Sequence, residues 1–288
     1  MRLFDAHNHL QDERLTPQLE EIVLQCRQVG IARMVVNGSC EEDWPQVAEL
    51  AGRYPEVMPS FGYHPWYVQE RTPEWQNNLT RWLDKVPSAV GEVGLDKWIL
   101  ESPGRPLGQR SSLPANPASL PEQEEVFVWQ LRLAAERNLP LSIHCLQAWG
   151  PLVEILRREP RPECGFLLHS YGGSVELVAP LVKLGAYFSL PGNFAHERKH
   201  RQREAFRTVP PDRLLIETDA PDQNLPPARD RQVLVDAASG NAINHPANLA
   251  AVYEFAAELF DEPVQQLVGR VEENFRRLFV ERTSPAGC

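Results

Sequence analysis

Two histidines stand two residues apart near the N-terminus, in Asp5-Ala6-His7-Asn8-His9. In an extended chain, residues i and i+2 point to the same side, so both imidazoles share one face at the end of a strand. Imidazole binds Zn, Mn, Fe and Ni, and two on one face make half a coordination shell. Taken alone, the pair also reads as an ordinary polar strand end. A second feature is Glu92, set in the glycine-rich run Gly91-Glu92-Val93-Gly94-Leu95-Asp96 at the end of a fourth strand. A carboxylate buried there must be paired, protonated or metal-bound. Its two oxygens can bridge two cations; a salt bridge to an arginine is the alternative. His144 closes Leu141-Ser142-Ile143, and His169 closes Phe166-Leu167-Leu168. Asp219 ends the run Leu214-Leu215-Ile216-Glu217-Thr218 and can bind a metal, act as a general base, or do both. Glu217, two residues earlier, points the same way and can orient a ligand histidine or pair inside the fold.

These groups need a scaffold that brings them together. Short β-rich runs cover residues 2–7, 33–38, 57–64, 88–94, 141–145, 165–170, 186–190 and 213–219. Helical spacing of apolar residues covers 17–28, 122–138, 151–158 and 175–184. The stretch 248–279 reads as two helices broken near Asp261-Glu262-Pro263, with the proline marking the start of the second. Strands alternating with helices predict an α/β fold, a TIM-type (β/α)8 barrel forming a single domain over 1–288. An open doubly wound sheet is the rival, but no GxGxxG comes after the first strand. On a barrel, the ends of strands one, four, five, six and eight converge on one mouth. Histidines with purely structural roles have no reason to choose that register, so His7, His9, Glu92, His144, His169 and Asp219 are read together as a metal site.

The chain has 288 residues, a net charge of −10, 42% hydrophobic and 24% charged residues. This composition suits a globular protein and excludes one that grips long duplex DNA by neutralising many phosphates. Two bound divalent cations would reverse the sign locally. The five cysteines include no CxxC pair, which suggests a reduced, cytoplasmic protein. MRLFDAHNHL lacks the apolar core of a secretory signal, and no apolar run approaches the roughly 18 residues of a membrane span. Two segments break the rhythm. Ile99 to Pro121 is rich in proline, and 220–247 is a second long connection. Both come directly after strands and would lie on the catalytic face, as disordered insertions or as lids.

The motifs FDAHNHL (4–10), FGYHPW (61–66), GEVGLD (91–96), LPLSIHC (139–145), LLHSYGG (167–173), IETDAP (216–221) and ENFRRLF (273–279) occur in this order along nearly the whole chain. The pattern resembles the TatD-type family of metal-dependent hydrolases among the amidohydrolase-like barrels. The resemblance implies one divalent ion on His7, His9, Glu92 and Asp219, and another on Glu92, His144 and His169, with Glu92 between them. It implies a substrate- or phosphate-contacting role for His64 and a metal-dependent DNase activity, often 3′–5′ on single strands. The chain departs from the family at several points. Leu146 stands where an arginine is frequent, and Lys97 replaces an aromatic residue after GLD, with Trp98 next. Asn244-His245-Pro246 replaces Asn-Glu-Pro, and the Ile99 to Pro121 insertion is long.

Phosphodiester hydrolysis is the leading expectation. Asp219 would be the general base, Glu92 the bridge, and His64 and Lys97 the phosphate contacts. The expected cofactors are two divalent ions (Zn, Mg, Mn, Ni or Co), and the expected partner of a monomeric protein is a single-stranded nucleic acid or small phosphodiester. The same metals can polarise the carbonyl of a cyclic amide or lactone, and a barrel with a decayed site that binds a partner through its loops is a third reading. Residues His196 to Arg207 form a basic strip that reads as a solvated helix face or a nucleic-acid contact. Trp66, Trp98 and Trp149 come after strands three, four and five and can stack on bases or pack loops.

Overall fold

A computed structural model describes residues 1–101 and 116–280. Eight parallel strands form one sheet in sequence order: β1 Leu3–Asn8, β2 Ile31–Asn37, β3 Val57–Phe61, β4 Ala89–Asp96, β5 Leu141–Leu146, β6 Phe166–Leu168, β7 Ala186–Pro191 and β8 Leu214–Glu217. The helices are α1 Leu19–Gln28, α2 Trp44–Arg53, α3 Trp75–Lys85, α4 Leu120–Arg137, α5 Trp149–Arg158, α6 Val175–Lys183, α7 His200–Phe206, α8 Leu249–Phe260 and α9 Val264–Phe275. This is a (β/α)8 barrel, nearly closed, as the alternation predicts. The strands β1, β3, β4, β7 and β8 are buried along their whole length. Parallel strands covered by helices on one side and by the barrel interior on the other require such apolar runs.

The barrel closes unevenly between β8 and β1. At the catalytic end the backbone does it: Asp219 N–H donates to the His7 carbonyl at 3.0 Å, and His9 N–H to the Ala220 carbonyl at 2.8 Å. Lower down, side chains replace the missing ladder. Tyr253 of α8 bonds both the N–H and the carbonyl of Phe4, at 3.1 and 3.0 Å. Asn274 of α9 donates to the Leu214 carbonyl at 2.8 Å. Asp5 spans the seam, accepting from Thr218 N–H at 3.0 Å and from its hydroxyl at 2.5 Å. Every polar group at a buried seam must be met in some such way.

Several boundaries differ from the sequence reading. The helices α2 and α3 lie outside the runs where apolar spacing predicts helix. The connection 220–247 contains two further strands, β9 Val233–Val235 and β10 Ala242–Asn244, paired antiparallel. Asn244 Nδ2 donates to the Thr218 carbonyl at 2.8 Å, so this hairpin braces the end of β8. Of the expected insertion, residues 102–115 lie outside the described residues. Its edges are a 3-10 turn at Trp98–Glu101 and the start of α4, where Ser119 and Glu122 form a capping box. Among the described residues no helix is long and apolar enough to cross a membrane.

Candidate metal centre

The six expected ligands meet at the C-terminal mouth of the barrel. Glu92 is the hub, and its two oxygens face different groups. Oε2 lies 3.4 Å from His7 Nε2 and 3.2 Å from His9 Nε2. Oε1 lies 2.8 Å from His169 Nε2 and 3.1 Å from His144 Nδ1. Asp219 Oδ1 is 3.6 Å from both His7 Nε2 and His9 Nε2. The sequence reading put Glu92 at the end of β4, yet the strand runs four residues further. Pairing with β3 stops at Val90, while pairing with β5 continues to Asp96. Glu92 N–H then turns to the Gly38 carbonyl beyond β2, at 2.9 Å. The carboxylate therefore sits where the strand leaves one neighbour and keeps the other.

Gly94 makes that geometry possible. Its φ is +138°, and a Cβ there would lie 2.0 Å from the His144 carbonyl oxygen. Only glycine allows β4 to approach β5 so closely beside a ligand.

Each inward nitrogen depends on what its ring does on the other side. His9 Nδ1 lies 2.9 Å from the Asn37 carbonyl, an acceptor only, so Nδ1 carries the proton and Nε2 offers a lone pair inward. His7 Nδ1 meets the Ser142 hydroxyl at 2.9 Å. His144 is turned the other way. Its Nε2 donates to Asp96 Oδ2 at 3.2 Å, leaving Nδ1 to face Glu92. His169 Nδ1 faces Glu217 at 3.8 Å, an ion-pair separation rather than a hydrogen bond. Glu217 also accepts from the hydroxyls of Ser170 and Ser189. It thus stands behind His169, one of the candidate ligands. Asp96, the last residue of GEVGLD, is a site residue that sequence reasoning missed. Its i, i+4 relation to Glu92 along one strand was the signal that could have found it.

His64 is different in kind. Its Nδ1 accepts the Trp66 N–H at 3.2 Å, so the neutral ring carries its proton on Nε2, which lies 3.4 Å from Glu92 Oε1. Burial lowers its pKa to about 4. Although His64, Glu92 and His144 are close enough to share an ion, this tautomer makes His64 a hydrogen-bond donor into the site.

The electrostatics are those of a cation site. Burial opposes charge on every member, yet Glu92 is held well below the usual carboxylate range by His64, His169 and His7. Burial alone would depress His9 and His144, but Glu92, with Asp96 in the case of His144, raises both to about 9. His7 is driven well below the normal histidine value by burial and by His169. Asp219 is raised by burial to about 7. The lone pairs of Glu92 and its ring of imidazoles point at one another, so the cluster needs protons or metal cations to hold it. The donor set fits divalent metals. Among the described residues three triads could each hold an ion: His7, His9 and Glu92; His7, His169 and Asp219; and His64, Glu92 and His144.

The centre floors a cavity of about 640 Å³. Trp66, Trp98 and Trp149 line it, and two are pinned: Trp66 Nε1 donates to Asp96 at 2.6 Å, and Trp149 packs on Tyr171 with ring centroids 4.8 Å apart. Leu146 is 38% exposed and lines the same space. Lys97 is exposed and is not among the lining residues. The basic strip divides. Arg198 and Lys199 line the cavity, whereas Arg203 is tied down by the carbonyls of Phe194 at 2.8 Å and His196 at 2.6 Å.

A family profile described as TatD related DNase matches residues 4–280. The chain belongs to the TatD related DNase family. It is 30% identical to the Bacillus subtilis (strain 168) protein named uncharacterized metal-dependent hydrolase YabD, over 96% of this chain and 98% of that one. It is 29% identical to a Citrobacter koseri protein named 3′-5′ ssDNA/RNA exonuclease TatD, again over 96% and 98%. The crystal structure of YjjV, a TatD homolog from Escherichia coli K12, superposes with a TM-score of 0.81 at 25% identity, covering 98% of this chain and 99% of that one. The protein is thus a TatD-family metal-dependent hydrolase, with His, Glu and Asp groups able to hold metal ions.

Proposed function

We propose that this centre takes two divalent cations and hydrolyses phosphodiester bonds in single-stranded nucleic acid, working from the 3′ end. The observation that carries the reading is the split of Glu92, one oxygen toward His7 and His9 and the other toward His144 and His169. Divalent cations held by His7, His9, Glu92, His144, His169 and Asp219 would supply Lewis-acid chemistry toward a scissile phosphate. The chain's own residues supply the rest. Asp219, whose Oδ2 accepts from Gln223 Nε2 at 2.8 Å, takes the proton of the attacking water. His64 Nε2–H donates to a phosphate oxygen. The tryptophans stack on bases, which suits any sequence because every base has a π-face.

The apolar Leu146 in the cavity wall favours a second reading, in which the same centre hydrolyses a small lactone, cyclic amide or phosphoester. The deciding experiment is metal content and hydrolysis of labelled single-stranded DNA, RNA and bis(p-nitrophenyl) phosphate with Mg, Mn and Zn, beside Glu92→Gln. The expected parent holds about two ions and cuts the nucleic acids. The variant loses at least ~100-fold, the scale of one preorganised electrostatic contact. A parent that binds metal and cuts lactones or dihydropyrimidines but no phosphodiester refutes the first reading in favour of the second.

A further inference from the structure

The cavity has a sidedness that the metal ligands do not explain. Strands β1, β4, β5, β6 and β8, or the residues just past them, supply the ligands; β7 supplies none. Beyond β7 the chain passes through a 3-10 turn over Glu197–Lys199 and into α7. From this segment Arg198, Lys199 and Gln202 face the cavity. On the β4–β5 side the wall is apolar, with Leu146, Trp98 and Trp149. Arg198 and Lys199 are the only arginine or lysine side chains among the described lining residues.

Their surroundings distinguish them from other cations nearby. Arg14 is locked between Asp12 and Asp222, at 2.8 and 3.1 Å. Arg203 is engaged by backbone carbonyls and holds the segment in shape. Neither Arg198 nor Lys199 pairs with a carboxylate among the described residues. Lys199 is half-buried with its Nζ 5.5 Å from the centre of the Phe194 ring. Two adjacent like charges at a cavity rim repel each other until an anion comes between them. In a chain of net charge −10, this is a local reversal of sign facing the reaction centre.

Resting on the phosphodiesterase reading, we propose that Arg198 and Lys199 form an anion subsite for the phosphate of a neighbouring nucleotide. They set the enzyme's preference for an oligonucleotide chain over an isolated phosphodiester. Cations on a rim segment that bears no metal ligand suit a phosphate beyond the scissile one, whose own charge the metals would meet. The tryptophans on the opposite wall hold the intervening bases.

The test is direct binding, read without cleavage. A fluorescein-labelled oligothymidylate is titrated in EDTA with the full chain and with Arg198→Ala, Lys199→Ala, the double variant, and a charge-preserving double swap, Arg198→Lys with Lys199→Arg. Anisotropy is recorded across 50–200 mM NaCl, and Tm confirms folding. Each phosphate no longer neutralised on a single strand lowers the slope of log affinity against log salt by about 0.7, so the double variant, which loses the one phosphate of this subsite, falls by about 0.7 and the swap stays near the parent. A double variant with the parent's slope overturns the proposal, as does one that weakens binding equally at every salt. Parent hydrolysis of the same oligonucleotide and of bis(p-nitrophenyl) phosphate is measured in parallel without EDTA, with Mg, Mn and Zn added in turn. Binding that responds as stated without any hydrolysis upholds the subsite and refutes the phosphodiesterase reading alone.

Discussion

Replacing Asp96 by asparagine tests the orientation of the second ligand group. Asp96 is fully buried and accepts three hydrogen bonds: Oδ2 from Trp66 Nε1 at 2.6 Å and His144 Nε2 at 3.2 Å, Oδ1 from Ile99 N–H at 3.0 Å. Burial works against its charge, but His144 and Trp66 hold the carboxyl below its ordinary value. Asparagine keeps the shape and has one acceptor oxygen. If that oxygen faces Trp66 and His144, the amide NH₂ opposes the Ile99 N–H, leaving a buried donor unmet at a cost of about 1–3 kcal/mol. If it faces Ile99, the NH₂ opposes Trp66 and drives His144 to the tautomer whose Nδ1 carries a proton toward Glu92, removing the lone pair a metal needs. In the first orientation His144 keeps an acceptor, but a neutral one; in the second it is the candidate ligand that suffers. Loss of such an outer partner weakens metal binding about 10- to 100-fold, or roughly 1.4–2.8 kcal/mol at 1.4 per decade. A metal titration against a competing chelator should show two steps in the parent and selective weakening of one in Asp96→Asn. The ion held by His7, His9 and Asp219 should keep its affinity. Equal weakening of both steps, or of neither, with Tm preserved, would refute the assignment of Asp96 as the residue that positions His144.

The same geometry sets two further outcomes. Gly94→Ala places a methyl 2.0 Å from the His144 carbonyl at a φ of +138°; β5 must move, at a cost of about 1–3 kcal/mol in backbone strain alone. Urea unfolding should show that loss, together with reduced metal content. In the metal-free protein, His9 and His144 have folded pKa values of about 9 against an ordinary 6.5. A raised histidine pKa contributes stability that is fully present below 6.5 and is lost as pH rises through 9. Tm measured in EDTA should therefore fall between pH 6.5 and 9.5. With saturating metal, which needs unprotonated imidazoles, the decline should vanish or reverse; parallel declines would contradict the linkage.

Much of the site was readable because it depends on residue type and strand register. A histidine or carboxylate that ends an apolar run is conspicuous, and the barrel topology brings all such ends to one mouth whatever the details between. The basic strip at 196–207 was visible too, but its division into a tied Arg203 and a cavity-facing Arg198 and Lys199 depends on which helix face packs inward. The hairpin at 233–244 was missed because its strands have three residues each, too short to show alternation.

By itself, then, the sequence determined the candidate ligand types, their order and the barrel that gathers them, since these arise from patterns within single segments. Only the tertiary structure decided how the ligands are used. The turn of His144 onto Nδ1, the donor tautomer of His64 and the two faces of Glu92 are each set by a partner distant along the chain or across a turn: Asp96, Trp66 N–H, and the histidines of other strands. A hydrogen bond between ring and partner forms only when two segments pack, and no periodicity within either segment encodes it.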